Sequence, residues 1–557
     1  MILGIDVGGT HTDAVLVENF QLLNKAKVLT DQANILSSLL AAARELISKE
    51  NIRRINRIVL STTISTNAIV QNKTNRVAMI LLNGPGLSPE TLSLGEDTYF
   101  AKGYVNHRGI PVNGLSRRQL AHISQEISEK QIHHIGIVGK FSSRNPQQEL
   151  EAADLLQEPS RRMFLGHTLS GQLGFPRRIA TTYLNAAIND IYRKFVDDVQ
   201  KFIDKISQEI GSSIPVYILK ADGGTILLEQ SLSCPVQTIL SGPAAGVMGF
   251  LATTAIQEDA VALDIGGTTT DISVFADGIP LLEPAGVTIN GRKTLIRGLY
   301  TKSIGVGGDS VVKVENGQII IGPQREGPAV ALGGSIPTPT DAMIVDGIVK
   351  FGDHAKARDA ITGIAEKLHM EVKAAAHAIV EQMAETIASH VIEILAEINN
   401  KPVYTIHELL EGKKILPKML CVAGGPAAVA PVIARKLGYP YVIPENSEVA
   451  NALGVALSRT TAEATILADT EKQELVICEE GCVQKIPRSF SLEDTIELGK
   501  KTLQNKAILM GAGSEDIRME VTESQSFNMI RDYYTTGKNI RVKVQIKPGL
   551  IASGTER

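Results

Sequence analysis

Cysteine, tryptophan and long apolar runs are scarce in this sequence. The chain has four cysteines and no tryptophan among 557 residues, and aromatic residues make up only 4%. So few cysteines do not build a disulfide framework in a chain of this length, which indicates a reducing compartment. No apolar run approaches the ~18 residues that span a bilayer, and the N-terminus enters a strand-like pattern without a basic and then apolar leader. We therefore expect a cytoplasmic protein without a membrane partner.

Long blocks of like charge are also missing. Lys and Arg number 56 against 60 Asp and Glu, for a net charge of -4, so nothing resembles a basic nucleic-acid arm or an acidic disordered tail. We therefore expect no nucleic-acid partner. The apolar fraction of 43% is typical of a compact globular protein. A chain this long exceeds one hydrophobic core, which predicts roughly three or four domains or lobes.

One short segment occurs twice. DVGGTHTD spans residues 6–13 and DIGGTTTD spans residues 264–271, and each lies between two apolar runs. The pattern predicts a strand, a tight glycine turn and a second strand in both places. Two glycines let backbone amides approach a phosphate, threonine hydroxyls add donors, and an aspartate ending the first strand can hold Mg²⁺ through its waters. Each segment is therefore a candidate phosphate-binding turn.

A single glycine turn of this kind is weak evidence, because Gly-Gly-Thr also occurs in ordinary hairpins. Two similar copies separated by most of a domain favour a duplicated fold, whose two lobes face a cleft and hold one nucleotide from both sides. A third turn, Gly424–Gly425 in VAGGPAAVAP, ends a strand and opens a helix. Glycine there would let a base or ribose lie against the backbone.

The rest of the chain alternates helix-like and strand-like segments, which predicts layered α/β lobes. Residues 303–342 are so rich in glycine and proline that we expect no regular elements there, and residues 355–398 have the apolar spacing of a helix. We place a first lobe at residues 1–180, a second lobe at 181–463 and a small appended α/β domain at 464–557.

The order and content of the three turns resemble the actin, sugar-kinase and heat-shock ATPase superfamily, in which two ribonuclease-H-like lobes clamp ATP. Within it, the chain is similar to the hydantoinase A and 5-oxoprolinase family. The supporting segments follow the family's order and are DVGGTHTD, STTISTNAIV, KFSSRNPQQE, RRIATTYLNAAI, KADGGT, LSGPAAGV, LDIGGTTTDI, SIGVGGDS, PTPTDA and VAGGPAAVAP. The resemblance implies an α/β fold of two lobes around a nucleotide cleft, the actin-like ATPase fold.

The same resemblance implies ATP and Mg²⁺ as cofactors and gives positions to them. Asp6 and Asp264 would be catalytic and would orient Mg²⁺ and the attacked phosphate. Asp13 and Asp271 would either touch metal or substrate, or cap the following turn. The nucleotide would contact Gly8, Gly9, Thr10, His11, Thr12, Gly266, Gly267, Thr268, Thr269, Gly307, Gly308, Gly424 and Gly425, with Asp309 in the same loop as Gly308.

The family's chemistry implies an ATP-dependent hydrolase subunit that opens a cyclic amide such as a hydantoin or 5-oxoproline. An amide carbon is a poor electrophile, and phosphorylation of its oxygen converts that oxygen into a leaving group, after which water can attack. The family often needs a B-type partner subunit, which nothing in this sequence resembles. We therefore expect a separate partner of that type, and a homo-oligomer.

Some positions depart from the family's usual residues, and the sequence allows other functions. His11 stands where the family usually has Phe, and it could either donate to phosphate or stack as Phe does. Asp222 stands where relatives often have Asn. The alternatives are the ATP-using subunit of a ketone carboxylase, a small-molecule kinase, and a nucleotide-gated activator or binding protein without a small-molecule substrate.

Overall fold

The protein is represented by a computed structural model that describes residues 1–9, 11–31, 33–47, 52–210, 214–283, 285–400 and 414–551. Two lobes with related sheets are followed by a C-terminal unit with its own sheet. In this part of the chain, no helix combines the length and apolar character needed to cross a bilayer.

The first lobe contains a mixed sheet and a long insertion with a second sheet. Its elements in chain order are β1 (Ile2–Val7), β2 (His11–Glu18), β3 (Gln21–Leu29), α1 (Ile35–Leu46), β4 (Arg57–Thr62), α2 (Ile64–Val70), β5 (Val77–Leu82), α3 (Pro89–Leu92), β6 (Thr98–Phe100), β7 (Tyr104–Val105), β8 (Pro111–Asn113), α4 (Arg117–Glu129), β9 (His134–Gly139), α5 (Gln147–Leu156), β10 (Arg162–Leu165), α6 (Gly166–Leu169), α7 (Phe175–Ala187), α8 (Asn189–Ile210), β11 (Val216–Leu219), β12 (Thr225–Leu227), α9 (Leu228–Ser231) and α10 (Ser241–Thr253).

The main sheet of this lobe has the order β12-β11-β4-β1-β2-β3, and the inserted sheet has the order β10-β9-β5-β6. The apolar face of α8 closes the core of the main sheet, because Tyr192, Phe195 and Phe202 pack in one cluster with Leu3 and Ile5. The first lobe therefore continues well past residue 180. A boundary at that residue would separate α8, β11 and β12 from the sheet that they complete.

The second lobe has a sheet, a helical layer and several short hairpins. Its elements are β13 (Ala260–Ile265), β14 (Thr270–Ala276), β15 (Ile279–Pro280), β16 (Thr288–Ile289), β17 (Arg292–Lys293), β18 (Thr301–Ile304), β19 (Val312–Glu315), β20 (Gln318–Ile321), α11 (Pro339–Asp346), α12 (His354–Leu368), α13 (Val372–Asn399), β21 (Met419–Ala423), α14 (Ala430–Leu437), β22 (Tyr441–Val442) and α15 (Ala450–Leu457).

One expectation for this lobe is wrong and another is confirmed. The glycine-rich stretch at 303–342 contains the hairpin β19–β20 and the helix α11, because alternating apolar residues between the glycines pack on the core of the lobe. The stretch at 355–398 is helical as expected, and it consists of the two helices α12 and α13. The chain turns at His369, whose backbone has a φ of 53° and ends α12.

The sheets of the two lobes share their topology. In the first lobe β1 pairs antiparallel with β2 and parallel with β4. In the second lobe β13 pairs antiparallel with β14 and parallel with β21. The repeated sequence therefore forms the same central hairpin in two equivalent sheets, as a duplicated fold requires.

Helices α10 and α15 cross between the two sheets. A Cβ atom on Gly454 would lie 2.2 Å from the backbone nitrogen of Gly249, and a Cβ atom on Gly4 in β1 would lie 2.6 Å from the Cβ of Ala456. The two helices and β1 can approach this closely only because glycine stands at these contacts. The crossing joins the first lobe to the second.

From Glu463 onward the chain forms a separate antiparallel sheet and one helix. Its elements are β23 (Glu463–Asp469), β24 (Glu474–Ile477), β25 (Cys482–Lys485), α16 (Leu492–Leu509), β26 (Met519–Arg531) and β27 (Tyr534–Ile546), and the strand order is β25-β24-β23-β27-β26. This unit contacts the insertion of the first lobe through Arg108, whose Nη2 lies 2.8 Å from Asp469 and 2.7 Å from Glu471.

Candidate active site

The first glycine hairpin joins β1 to β2. The backbone N–H of Gly8 donates to the carbonyl oxygen of His11 at 3.0 Å, and the register places Asp6 opposite Asp13. The hydroxyl of Ser61, on the neighbouring strand β4, donates to the carboxylate of Asp6. Burial, together with the charges of Asp13 and Asp264, raises the pKa of Asp6 to about 6 against the lowering effect of the Ser61 hydrogen bond.

The second hairpin, between β13 and β14, repeats this arrangement. Gly266 N–H donates to the carbonyl oxygen of Thr269 at 2.9 Å, and Asp264 lies opposite Asp271. Asn451, at the start of α15, donates through Nδ2 to Asp264 Oδ2 at 3.1 Å. Burial raises the pKa of Asp264. The two lobes therefore bring the buried carboxylate of Asp6 and the partly buried carboxylate of Asp264 towards each other, and the charge of Asp264 raises the pKa of Asp6.

The outer aspartates of the hairpins differ in their partners. Asp13 lies opposite Lys27 on β3, and Lys27 Nζ is 2.8 Å from both carboxylate oxygens. Asp271 lies opposite Ser303 on β18 and accepts a hydrogen bond from its hydroxyl. Burial raises the pKa of Asp271 to about 6. A fixed positive charge therefore accompanies the outer aspartate in the first lobe only.

The threonines of the two hairpins do not all face the cleft. Thr12 and its equivalent Thr270 are fully buried. Thr12 Oγ1 lies 2.9 Å from Thr30 Oγ1, and Thr270 Oγ1 donates to the carbonyl oxygen of Val306 at 2.7 Å. The structure therefore gives Thr12 a structural role instead of the expected nucleotide contact. Thr10 lies outside the described residues.

The loop at Gly307–Asp309 is attached to the second hairpin. Gly308 N–H donates to Gly266 O at 2.9 Å, and Asp309 N–H donates to Gly267 O at 2.7 Å. A Cβ atom on Gly307 would lie 2.6 Å from Gly266 O, so only glycine allows this approach. Gly307 therefore packs against the backbone of the second turn, while Gly308 lines the cleft.

The third glycine turn follows β21. Gly424 has a φ of 93°, and a Cβ atom there would lie 2.1 Å from the carbonyl oxygen of Ile265. Both the left-handed backbone and the close approach require glycine. The turn thus lies directly beside the second hairpin.

These parts surround one cavity of about 370 Å³. Its walls include both hairpins, the Gly308–Asp309 loop and the third turn, together with apolar side chains from the helical layer. The lining residues among those expected from the sequence are His11, Asp13, Asp264, Gly266, Gly267, Gly308, Asp309, Gly424 and Gly425. Thr268 and Thr269 are exposed beside it, and Gly8 and Gly9 line a different cavity.

His11 is exposed at the wall of the cavity. Partial burial and the positive charge of Lys27 lower its pKa, so the imidazole is neutral at pH 7. The charges of Arg325 and Asp309 in the second lobe also act on it, which places His11 at the boundary between the lobes. Arg325 itself pairs with Asp309, at 3.0 Å.

Several site residues were not expected from the sequence. Lys27 and Asn451 act on Asp13 and Asp264, and an apolar wall faces the third turn. This wall consists of Leu332, Met343, Val349 and Phe351, of which Leu332 and Phe351 are about half exposed. Lys27 could have been predicted from the sequence, because the alternating pattern of the strand after the first hairpin places it opposite Asp13. The apolar wall comes from loops and helices whose positions depend on the tertiary fold.

In the described part of the chain, no group of three or more His, Cys, Asp or Glu side chains is arranged to hold a metal ion. Asp6 is a buried carboxylate and Asp264 a partly buried one, and the charge of Asp264 acts on Asp6. This donor set suits Mg²⁺, which needs one or two protein carboxylates and completes its shell with phosphate oxygens and water.

Comparison with known proteins agrees with these features. The family described as hydantoinase/oxoprolinase matches residues 178–464, and the hydantoinase/oxoprolinase N-terminal region matches residues 2–160. The chain is 24% identical to caprolactamase subunit alpha of Pseudomonas jessenii over 72% of this chain and 63% of that one. It is 23% identical to 5-oxoprolinase 1 of Arabidopsis thaliana over 83% of this chain and 41% of that one. It thus spans less than two thirds of the length of these relatives.

Two solved structures share the fold over nearly the whole chain. A nucleotide-free structure of acetone carboxylase superposes with a TM-score of 0.72 at 17% identity, covering 99% of this chain and 88% of that one. The ATP-dependent caprolactamase of Pseudomonas jessenii superposes with a TM-score of 0.70 at 19% identity, covering 100% and 88%. The architecture is therefore the actin-like ATPase fold expected from the sequence, and the chain belongs to the hydantoinase/oxoprolinase family.

Proposed function

We propose that this chain binds ATP and phosphorylates the amide oxygen of a small cyclic amide, so that water can open the ring. One observation carries the proposal: His11 and Asp13 of the first hairpin, Gly266 and Gly267 of the second, and the third glycine turn line one cavity of about 370 Å³ between the two lobes. This volume is within the roughly 300–1,000 Å³ of small-molecule sites. The match to the hydantoinase/oxoprolinase family supports the substrate class.

The cavity offers a place for each part of the nucleotide. The apolar wall, with Met343 and Phe351, and the flat surface of Gly424–Gly425 would hold the base and ribose. The backbone of Gly266–Gly267 and the first hairpin would bind the phosphates, since exposed amides and small residues suit anionic oxygens. Lys27 adds positive charge at this end of the cavity.

Magnesium would be held between Asp6 and Asp264. When bound, the ion would neutralise charge on the phosphate oxygens. Ser61 holds the carboxylate of Asp6 and Asn451 holds that of Asp264 through hydrogen bonds. Asp264 lines the cavity, and Asp6 is buried behind the first hairpin. Asp13, already paired with Lys27, and Asp271, paired with Ser303, would position the hairpins rather than bind the metal directly.

The proposed reaction transfers one phosphoryl group and consumes two water molecules. The γ-phosphoryl group passes from ATP to the amide oxygen, its bond to the β-phosphate oxygen breaks, and ADP and the ring N–H proton leave. Water adds to the activated carbon, the C–N bond breaks with a proton returning to nitrogen, and an amine and an acyl phosphate form. A second water releases inorganic phosphate and a carboxylate. The enzyme contributes chiefly by positioning and by electrostatic stabilisation.

We further propose that the chain works in an assembly with a B-type subunit. The relatives include proteins named as one subunit among others, such as caprolactamase subunit alpha and acetophenone carboxylase gamma subunit. We also propose that this chain forms a homo-oligomer within the assembly.

The test measures phosphate release by protein purified with its native partners, in the presence of ATP, Mg²⁺ and a panel of lactams and cyclic ureides. We expect release to rise with at least one ring compound and to yield a ring-opened product. A rise with ketone and bicarbonate instead would identify a carboxylase component. Stable phosphorylated product would identify a kinase, and partner activation without any small substrate would identify a nucleotide-gated activator.

A further inference from the structure

A second cavity, of about 180 Å³, lies in the first lobe on the other side of the first hairpin. Gly8 and Gly9 form part of its wall, and the remainder comes from the β3–α1 loop, the start of α2 and one face of α8. It shares no lining residue with the nucleotide cavity. The first hairpin therefore separates two cavities, with Gly8 and Gly9 facing one and His11 and Asp13 facing the other.

The two cavities occupy equivalent places in the duplicated fold. Strand registers pair Asp6 with Ser61 and Asp264 with Ala423, so Thr62–Thr63 corresponds to Gly424–Gly425. In the second lobe this turn lines the nucleotide cavity, and in the first lobe it lines the second cavity. Since the leaving and attacking oxygens lie roughly in line in a phosphoryl transfer, a transfer between these cavities requires the γ-phosphate to lie at the tip of the first hairpin, within reach of both.

The chemistry of the second cavity differs from that of the nucleotide cavity. Threonines replace the two glycines, so the backbone is covered and a flat base cannot lie against it. Thr62 Oγ1 accepts from Ile64 N–H at 3.2 Å, and Thr63 Oγ1 accepts from Asn67 Nδ2 at 3.3 Å. Each hydroxyl therefore keeps its proton to donate, which suits a carbonyl oxygen.

The rest of the cavity combines an apolar side with a basic mouth. Ile35, Ile64 and Phe195 supply apolar surface. Lys73 and Lys194 line the cavity as exposed side chains, and neither forms an ion pair with any side chain in the described ranges. Asp198, the one acidic lining residue, pairs with Lys201 at 3.0 Å.

Resting on the proposed function, we propose that this first-lobe cavity holds the phosphoryl acceptor, a small cyclic amide that carries a carboxylate. Its carbonyl oxygen faces the hydroxyls of Thr62 and Thr63, its ring lies on the apolar side, and its carboxylate meets Lys73 and Lys194. The cavity is smaller than the roughly 300 Å³ lower limit of sites for drug-sized ligands, which suits a small ring. The carbonyl oxygen takes the γ-phosphoryl group and ADP leaves.

The hydroxyl of Thr63 provides the first test, in the complete assembly with ATP and Mg²⁺. Thr63→Val keeps the shape but removes the donor, and Thr63→Ser keeps the donor. With 5-oxoproline as probe, we expect Thr63→Val to raise KM or lower kcat about tenfold, the size of one lost hydrogen bond to a polar ligand, and Thr63→Ser to retain most activity. Binding of a non-hydrolysable ATP analogue should stay within twofold for both variants and shows that they are folded.

The lysines provide a second test that does not disturb the core. Lys73→Ala/Lys194→Ala should raise KM about tenfold for 5-oxoproline, since two partly screened ion pairs are lost. The same double variant should leave KM unchanged for 2-pyrrolidinone, which is the same ring without the carboxylate. Lys102→Ala/Lys205→Ala removes the same charge from exposed lysines of this lobe that do not line the cavity, and it should behave as wild type.

The response of the wild-type protein distinguishes a wrong cavity assignment from a wrong proposed function. If wild type responds to a lactam but Thr63→Val and the Lys73/Lys194 variant respond equally well, the acceptor binds elsewhere and this inference is wrong. A response to 2-pyrrolidinone but not to 5-oxoproline in wild type also overturns the carboxylate assignment. If wild type responds to no lactam while binding ATP, the proposed function itself fails.

Discussion

Lys27 Nζ lies 2.8 Å from both carboxylate oxygens of Asp13, whereas Ser303 occupies the equivalent place beside Asp271. The two halves of the clamp are therefore electrostatically unequal although their hairpins have nearly the same sequence. The first hairpin combines a neutral His11 with a lysine, and the second combines threonine with serine. This asymmetry places fixed positive charge on the first-lobe side of the phosphate site.

Replacing Lys27 should weaken nucleotide binding. We expect Lys27→Met to raise the Kd for ATP and Mg²⁺ roughly fivefold, or about 1 kcal/mol, because the side chain is 43% exposed and solvent screens its charge. Lys25→Met is a matched control, since Lys25 lies on the same strand, is 42% exposed and pairs with Glu448. Titration calorimetry of the two variants gives the answer, and equal Kd values would exclude a role for Lys27 at the phosphates.

The crossing of α10 and α15 should not tolerate a methyl group. Gly454→Ala would place a Cβ 2.2 Å from the backbone nitrogen of Gly249, and we expect a loss of about 1 to 3 kcal/mol in the free energy of unfolding. Gly363→Ala, in α12 with no atom within 4 Å of the new Cβ, should gain about 0.5 to 1 kcal/mol from helix propensity. Urea denaturation measures both, and equal effects would contradict the tight crossing.

A charge cluster around the buried Asp222 joins the first lobe to Arg297 of the second lobe and to Thr461, just before the C-terminal unit. Asp222 is 2% exposed. It accepts from Thr461 Oγ1 at 2.8 Å, with Lys220 at 3.5 Å and Arg297 at 3.4 Å. Asp222→Ala leaves the buried Lys220 and the partly buried Arg297 without this partner and should cost about 3 kcal/mol.

The control for Asp222→Ala is Glu258→Ala, because Glu258 is 61% exposed and pairs with Lys418 at the surface. Its unfolding free energy should change by less than about 0.5 kcal/mol. Thermal unfolding of the two variants compares them directly. An Asp222→Ala protein as stable as Glu258→Ala would show that the cluster does not stabilise this junction.

The same junction should make stability fall in acid. Burial tends to raise the pKa of Glu463, but the charges of Lys543 and Arg297 outweigh it and lower the pKa from 4.5 to about 2. A depressed pKa contributes stability above pH 4.5 that is lost as pH falls towards 2. The contribution is at most about 3 kcal/mol, since the side chain keeps 21% of its surface exposed.

Glu463→Gln isolates this contribution. Relative to wild type, it should be less stable at pH 7 and lose less stability between pH 5 and pH 2.5, as measured by urea midpoints. Parallel pH profiles for the two proteins would show that Glu463 is not the group responsible.

The sequence predicted the repeated hairpins well because their signal is local. Alternating apolar residues and paired glycines specify a strand, turn and strand whatever surrounds them, and the structure places both copies in equivalent sheets. The third turn at Gly424 was found for the same reason. Fold class followed from the order of these segments rather than from any one of them.

Features that depend on distant contacts were not predictable in the same way. The first lobe reaches beyond residue 180, because β11 joins its sheet and α8 packs on that sheet after a long insertion. Local sequence patterns do not show which sheet a later strand joins. Thr12 looked like a phosphate donor, but its position in the pleat turns it towards Thr30. Asn451 meets Asp264 only because α15 crosses back between the lobes.

The most direct test of the central claim is lactam-dependent phosphate release by wild type and Asp264→Asn, each purified with its native partners. We predict that wild type releases phosphate faster when a cyclic amide is added and that Asp264→Asn binds an ATP analogue but loses this response. If wild type binds ATP and Mg²⁺ and no lactam or cyclic ureide changes phosphate release, the claim is contradicted.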